Sequence, residues 1–170
     1  MTTPDRLTNA DKGYFNSRMT RTTSELRLPA DPAYIVVAKR AASAFAAVAG
    51  FDVEAVHDLT IAVAQACENA IACATRAGGL GVGQIRLAFT VEGTRLEVQV
   101  RSSCTRQALA EAAVAHQRVA AKVAERERQE VAAATDLALR LMGLFVDDHS
   151  YRVDERTGGL RVRLTKYKAS

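Results

Sequence analysis

The sequence predicts one domain of the α+β class, in which helices and an antiparallel sheet share a core. Apolar residues alternate over 85–91 and 96–100 around a turn at 92–94, which predicts a β-hairpin with one buried face. An alanine-rich stretch over 58–76 contains neither Pro nor Gly and predicts a long helix. Alternation over 160–164 predicts a final strand. The 170 residues suffice for one domain with a substantial core.

The chain begins with a polar stretch that contains few aliphatic side chains. We expect residues 1–24 to be a disordered tail and residues 25–168 to form the domain. A short alternating pattern at 24–28 predicts the first strand. Asp31 then suits the N-cap of a helix over 33–49.

This first helix carries a basic pair in its middle, Lys39 and Arg40. Six residues are assigned to its core side: Ile35, Val36, Ala42, Phe45, Ala46 and Val48. Gly50 suits the end of the helix, and Asp52 suits the N-cap of the next one. The basic pair is either a solvated pair or a contact for a partner.

The long helix has one broad apolar side and one narrow polar stripe. At about 100° per residue, the stripe holds Asp58, Gln65, Asn69 and Arg76, with the two carboxamides one turn apart. Two long polar groups flanked by alanines indicate the wall of a pocket. The alternative is a surface helix with scattered polar residues.

Bulk properties exclude some function classes. No apolar run approaches the ~18 residues of a membrane span, and no signal-peptide core is evident, so we expect a cytoplasmic protein without membrane contact. The net charge of +4 is too small to indicate nucleic-acid binding by itself, but it suits an acidic protein partner. Three cysteines without an export signal suggest reduced thiols, although Cys73 and Cys104 could approach each other.

A nine-residue run of the long helix resembles the N-box of the Bergerat-fold ATPases, the histidine-kinase-like family. The run is Ala62-Val63-Ala64-Gln65-Ala66-Cys67-Glu68-Asn69-Ala70. Its resemblance is closest to the bacterial anti-sigma factor and serine-protein kinase branch, and it extends over residues 25–167. It implies a two-layer α/β sandwich whose sheet is mixed but mostly antiparallel, with helices on one face.

The resemblance also assigns roles to the two carboxamides. Asn69 matches a magnesium ligand of the family, whereas Gln65 stands where the family has a general-base glutamate. An amide cannot accept a proton from a serine hydroxyl, so we expect no catalytic residue here.

Two further family motifs differ from the pattern in this chain. Ser102 stands where an aspartate would read the adenine amino group, and Cys104 stands at the first glycine after it. The later glycine-rich turn appears as Asp136-Leu137-Ala138-Leu139, and Asp136 puts a negative charge where phosphates would meet a helix N-terminus. We therefore expect a vestigial nucleotide pocket and no cofactor, with Mg-ATP or Mg-ADP held only if the pocket still works.

The segment that follows the hairpin matches the mobile lid of the family. Residues 104–129 are alanine-rich and charged and contain neither Gly nor Pro, which favours a helix over a hinged lid. A last helix is expected over 131–146. Four residues are assigned to its core side: Leu137, Leu141, Leu144 and Phe145.

The resemblance implies a regulator of transcription that binds a sigma factor, an anti-sigma antagonist, or both. A basic residue of the first helix contacts the sigma factor in that family, which would give Lys39 and Arg40 a role. The family often dimerises, so a homodimer stays open. One alternative is an ATP-dependent serine-protein kinase acting on the antagonist, and another is a pocket that holds a different small ligand.

The last strands point several arginines outward, namely Arg152, Arg161 and Arg163. A basic sheet face could touch RNA or DNA, but such sheets usually add stacking aromatic residues. None is interleaved here, so we do not expect nucleic-acid binding.

Overall fold

The protein is seen in a computed structural model, which describes residues 21–78, 82–104, 129, 133, 136–154 and 159–169. Its strands are β1 (Thr22–Pro29), β2 (Gly83–Glu92), β3 (Arg95–Cys104), β4 (Asp148–Val153) and β5 (Leu160–Tyr167). A 3-10 turn (Pro32–Tyr34) leads into helix α1 (Ile35–Val48), which is followed by helix α2 (Val53–Gly78). A third helix, α3, includes residues 136–142. The predicted α+β class is therefore confirmed.

The five strands form one sheet in the order β1-β2-β3-β5-β4. All four pairings are antiparallel, so the described strands contain no parallel pair. Burial alternates along β2 and β5, and α2 packs on β2, β3 and β5. The helices thus cover one face of the sheet, as expected for the two-layer sandwich. No described helix packs on the other face, where Glu97 and Thr165 are nevertheless buried.

Helix α2 lies at the centre of the core. Its predicted apolar side is confirmed, since the side chains on it are almost fully buried: Leu59, Val63, Ala66, Cys67, Ala70 and Ala74. Alanines also form the contact side of α1, where Ala38, Ala42 and Ala46 are buried. Small side chains let the two helices approach each other closely. The ring of Phe45 then stacks on Phe89 of the sheet, with ring centroids 4.5 Å apart.

The predicted capping residues bind backbone N–H groups, but Asp31 caps the 3-10 turn before α1, and α1 itself begins after Tyr34 without a side-chain cap. The Asp31 carboxylate accepts from the Ala33 N–H at 2.8 Å, and the Asp52 carboxylate accepts from the Ala55 N–H at 2.7 Å. Gly50 adopts a φ of 77°, which closes α1 in the left-handed conformation that glycine tolerates best. These contacts fix the path of the chain into α2.

Part of the predicted core side of α1 is wrong. Val36 and Val48 are 56% and 89% exposed, whereas Ile35 and Phe45 pack against the core. The helix carries apolar residues on more than one side, so their spacing could not single out the buried side. Val36 and Val48 instead form part of the outer surface.

The predicted core side of α3 is also largely wrong. Leu137, Leu141 and Leu144 are exposed, and only Phe145 of the predicted set packs against the core. The buried positions are Leu139, Met142 and Val146, which also have three- and four-residue spacing. Two apolar stripes therefore compete in this sequence, and contact with the sheet selects the other one.

Some predictions fall outside the described residues. The tail over residues 1–20 and residues 105–128 of the lid segment belong to this part, so both stay predictions. Strand β1 begins at Thr22, which is earlier than the predicted domain boundary. Among the described helices, none is long and apolar enough to cross a membrane.

Candidate functional site

The candidate site starts from the two carboxamides of α2. Asn69 is buried, with 9% of its surface exposed, and its Nδ2 atom has no hydrogen-bond partner among the described residues. Gln65 is half-buried one turn earlier. The wall of α2 therefore contains a buried polar donor in an otherwise apolar region, which agrees with a pocket rather than a solvated stripe.

The rest of the predicted polar stripe has different contacts. Asp58 pairs with Lys166 of β5 at 3.1 Å, and the same ammonium donates to the Phe145 carbonyl at 3.1 Å. Arg76 donates to the Cys73 sulfur at 3.0 Å. Asp58 thus belongs to a structural link between α2 and β5 and not to the candidate site.

The structure gives Ser102 a role in the sheet. Its hydroxyl oxygen accepts from the Leu160 N–H at 2.8 Å. The paired register of β3 and β5 ends one step earlier, at Arg101 and Arg161, so this bond extends the ladder through a side chain. A hydroxyl already committed to the backbone is a poor substitute for the carboxylate that would read adenine.

Cys104 packs against the last turns of α2. Its thiol donates to the Ala74 carbonyl at 3.2 Å, and burial raises its pKa. A raised pKa keeps the thiol protonated at neutral pH, which disfavours nucleophilic or metal-binding chemistry. The neighbouring Gly83 also approaches closely, because a Cβ added there would lie 2.8 Å from the Ala74 Cβ. This end of the candidate pocket is therefore tightly packed.

Asp136 has partners in α3 and β4 and, among the described residues, none in α2. It accepts from the Tyr151 hydroxyl of β4 and pairs with Arg140 one turn later at 2.8 Å. The hydrogen bond to Asp136 raises the pKa of Tyr151. Ala138 is half-buried and offers no polar side chain. No described hydrogen bond joins Asn69 to Ser102, Cys104 or Asp136, so these positions do not form one polar network.

The donor set does not fit a site for phosphoryl transfer from Mg-ATP. Asn69 could supply one amide oxygen to a magnesium ion, but Gln65 offers no carboxylate beside it. Within the described residues, no cluster of three His, Cys, Asp or Glu side chains could hold a metal. Asp136 and Ser102 already have protein partners, as described above. The orphaned Asn69 amide still indicates a polar site, and the site residues that the structure describes include no charged group free to bind phosphate.

A second candidate surface lies on the outer side of α1. Lys39 and Arg40 are exposed, as their proposed role requires. Val36 and Val37 are 56% and 40% exposed beside them. The basic pair therefore lies next to exposed apolar side chains. This apolar surface was not predicted, because Val36 was assigned to the core side of the helix.

Comparison with known proteins identifies the class. Residues 28–166 match the family described as the histidine kinase-like ATPase domain, and the chain belongs to this family. It is similar to the serine-protein kinase RsbW of Listeria monocytogenes serotype 4a (strain HCC23), with 36% identity over 80 residues. That match covers 47% of this chain and 50% of the relative.

A further relative is the serine-protein kinase RsbW of Bacillus pumilus (strain SAFR-032), 34% identical over 76 residues. The match covers 45% of this chain and 47% of the relative. The chain thus spans about half the length of the curated relatives that it matches. The resemblance stated from the N-box is confirmed.

Proposed function

We propose that this protein is a cytoplasmic regulator of bacterial transcription that binds a sigma factor, an anti-sigma antagonist, or both, with nucleotide binding weak or lost. Membership of the histidine kinase-like ATPase family and the similarity to serine-protein kinases support the class. The outer surface of α1 is the observation that carries the binding role, because its exposed valines and basic pair suit a partner. In the resembled family a basic residue of this helix contacts the sigma factor, which supports the same role for Lys39 or Arg40.

The chemistry of the α1 surface supports protein binding more than solvation. Val36, Val37 and Arg40 lie within about one turn of each other, and Val48 is exposed at the end of the helix. Apolar side chains next to an arginine are typical of the centre of protein interfaces. A partner that covers this surface would bury the valines and pair its acidic groups with Arg40.

Affinity capture from a lysate of the source organism tests this role. The wild-type chain should recover a sigma factor or an antagonist, and Arg40→Glu should weaken recovery by about tenfold because it places like charges together. Arg140→Glu is the matched control, since Arg140 is an exposed residue of α3. If the wild-type chain recovers neither protein in repeated experiments, the proposal is contradicted.

Titration calorimetry with Mg-ATP and Mg-ADP tests the nucleotide part. Each missing hydrogen bond to a charged group costs roughly 1.5–3 kcal/mol, so two or three losses shift a micromolar site toward millimolar affinity. We expect dissociation constants weaker than about 100 μM. Tighter binding would show that the altered pocket still functions.

The second candidate function is an ATP-dependent serine-protein kinase, which the names of the matched relatives favour. Gln65 argues against a kinase, because its neutral amide occupies the position of the general base and cannot accept a proton. Transfer of labelled phosphate from ATP to a serine of a captured antagonist would support this function if Asn69→Ala abolishes it. Gln65→Glu serves as the comparison, because a base restored there would raise any residual transfer.

A further inference from the structure

The face of the sheet opposite the helices carries one arginine from every strand at the same level. The strand register places Arg27 opposite Arg86, Arg86 opposite Arg101, Arg101 opposite Arg161, and Arg161 opposite Arg152. Directly opposite residues of antiparallel strands project from the same face. With strands about 4.8 Å apart, these five side chains form a line roughly 20 Å long, here called the arginine row.

This arrangement is electrostatically unfavourable within the protein. Like charges directly opposite each other destabilise a sheet. Among the described residues, Arg86 is the one member of the row with an ion pair, to Glu25. Burial lowers the pKa of Arg101, and the nearby charges of Arg161 and Arg86 lower it further. The nearby charge of Glu25 offsets only part of this repulsion. Charged side chains that are only partly compensated within a protein are expected where it meets a partner.

Two arginines of the row, Arg86 and Arg101, line a small cavity of about 120 Å³. The cavity is lined by Glu25, Arg86, Ala88, Gln99 and Arg101. Four members of the row are exposed, namely Arg27, Arg86, Arg152 and Arg161, and the exposed Arg163 lies two residues further along β5. The surface is therefore accessible, concave and positively charged.

The charge of the row and the residues around it indicate which kind of partner could bind there. A second copy of the chain would bring another arginine row against this one, and the two would repel each other. A single-stranded nucleic acid would need aromatic platforms for its bases, but Tyr167, the one aromatic on this face among the described strand residues, lies beyond Arg163 and pairs with Arg95. The contact of Glu25 with Arg86 shows that a carboxylate can pair with an arginine of the row.

We propose that the arginine row binds an extended acidic segment of a partner protein, whose carboxylates pair with Arg27, Arg101, Arg152 and Arg161. Guanidinium groups bind carboxylates through paired hydrogen bonds, which gives such a surface both affinity and register. Alternate side chains of an extended peptide lie about 7 Å apart on one side, so three or four carboxylates can reach the row. This site lies on the face opposite α2 and does not depend on the role of α1.

Fluorescence anisotropy with a labelled ten-residue peptide of alternating Asp and Ala tests the proposal on the full chain. We expect binding at low salt that weakens steeply as salt rises. The double variant Arg27→Ser/Arg161→Ser should bind at least tenfold more weakly, and both side chains are exposed, so the fold should persist. Arg140→Ser/Lys168→Ser removes the same charge away from the row and should bind within about twofold of wild type.

Two further measurements distinguish an acidic peptide from a nucleic acid and from a response to net charge. A fifteen-nucleotide oligothymidine that binds more tightly than the peptide, and loses binding in the same double variant, would overturn the proposal in favour of nucleic acid. Equal losses in the two double variants would show a response to net charge alone and would also overturn it. Absence of peptide binding at low salt would do the same, with thermal melting confirming that each variant is folded.

Discussion

Asn69 is a buried polar side chain of the central helix whose amide nitrogen lacks a partner among the described residues. A buried donor left unpaired costs about 1–3 kcal/mol. An apolar residue would cost less there, so the amide indicates a requirement beyond folding.

Replacement of this amide by a similar-sized apolar group should stabilise the protein. Asn69→Leu is expected to raise the free energy of unfolding by about 1 kcal/mol, because it removes an unpaired donor and adds apolar burial. Urea denaturation measures the change. Gln65→Leu is the control and should have a smaller effect, since Gln65 is half-buried. A clear loss of stability in Asn69→Leu would mean that the amide is hydrogen-bonded in solution.

Because of Cys67, the free energy of unfolding should depend on pH in the alkaline range. Burial raises its pKa from the ordinary 9.0 to about 12. Below pH 9 the thiol is protonated in both states and its contribution is complete. Above pH 9 the unfolded chain loses this proton while the folded chain keeps it, so stability falls by up to about 1.4 kcal/mol per pH unit.

Cys67→Ala isolates this effect from other titrations. The stability advantage of the wild type over the variant should shrink by about 1 kcal/mol between about pH 9 and about pH 10. Urea denaturation at both values measures it. An advantage that does not change with pH would contradict the assigned thiol environment.

The elements show where sequence reasoning succeeds and where it stops. Alternation and turn residues predicted the hairpin, the final strand and the C-terminal end of α1 correctly. The buried side of a helix with two apolar stripes could not be predicted, as Val36 and Leu141 show, because the selection depends on the elements that pack against the helix, which for α1 is chiefly α2. The motif positions could be predicted, but the partners of Ser102 and Asp136 could not, since they come from β5 and β4.

The close contact between β2 and the end of α2 depends on Gly83. An added Cβ would lie 2.8 Å from the Ala74 Cβ and 3.2 Å from the Ser103 carbonyl oxygen. Gly83→Ala should therefore destabilise the protein by about 1–3 kcal/mol through overpacking. Ala74→Gly in the same chain should recover part of this loss beyond the sum of the two single effects. Purely additive effects in thermal or urea unfolding would show that the two sites do not touch.

At the scale of the whole molecule, the modest net charge of +4 conceals an uneven distribution. The sequence showed that Arg161 and Arg163 point outward, but the alignment of Arg27, Arg86 and Arg101 with them required the register of four strand pairs. Register follows from packing over the whole sheet and not from any single strand. The arginine row was therefore beyond reach of the sequence pattern.

Repulsion along the row should make stability depend on salt. Raising sodium chloride from about 50 mM to about 500 mM shortens the screening length severalfold and should stabilise the wild type by several tenths of a kcal/mol. Arg161→Ser should show a smaller gain, whereas Arg140→Ser should respond like the wild type. Identical salt responses of the two variants in urea denaturation would mean that the row carries no measurable repulsion.

The place of β5 in the sheet has a consequence for synthesis of the chain on the ribosome. It follows β4 in sequence but lies between β3 and β4, and its Lys166 meets residues 58 and 145. Until residues 160–167 leave the exit tunnel, β3 has an open edge and β4 has no neighbour. A nascent chain must therefore keep these edges from wrong partners until residues 160–167 have emerged and can pair with them.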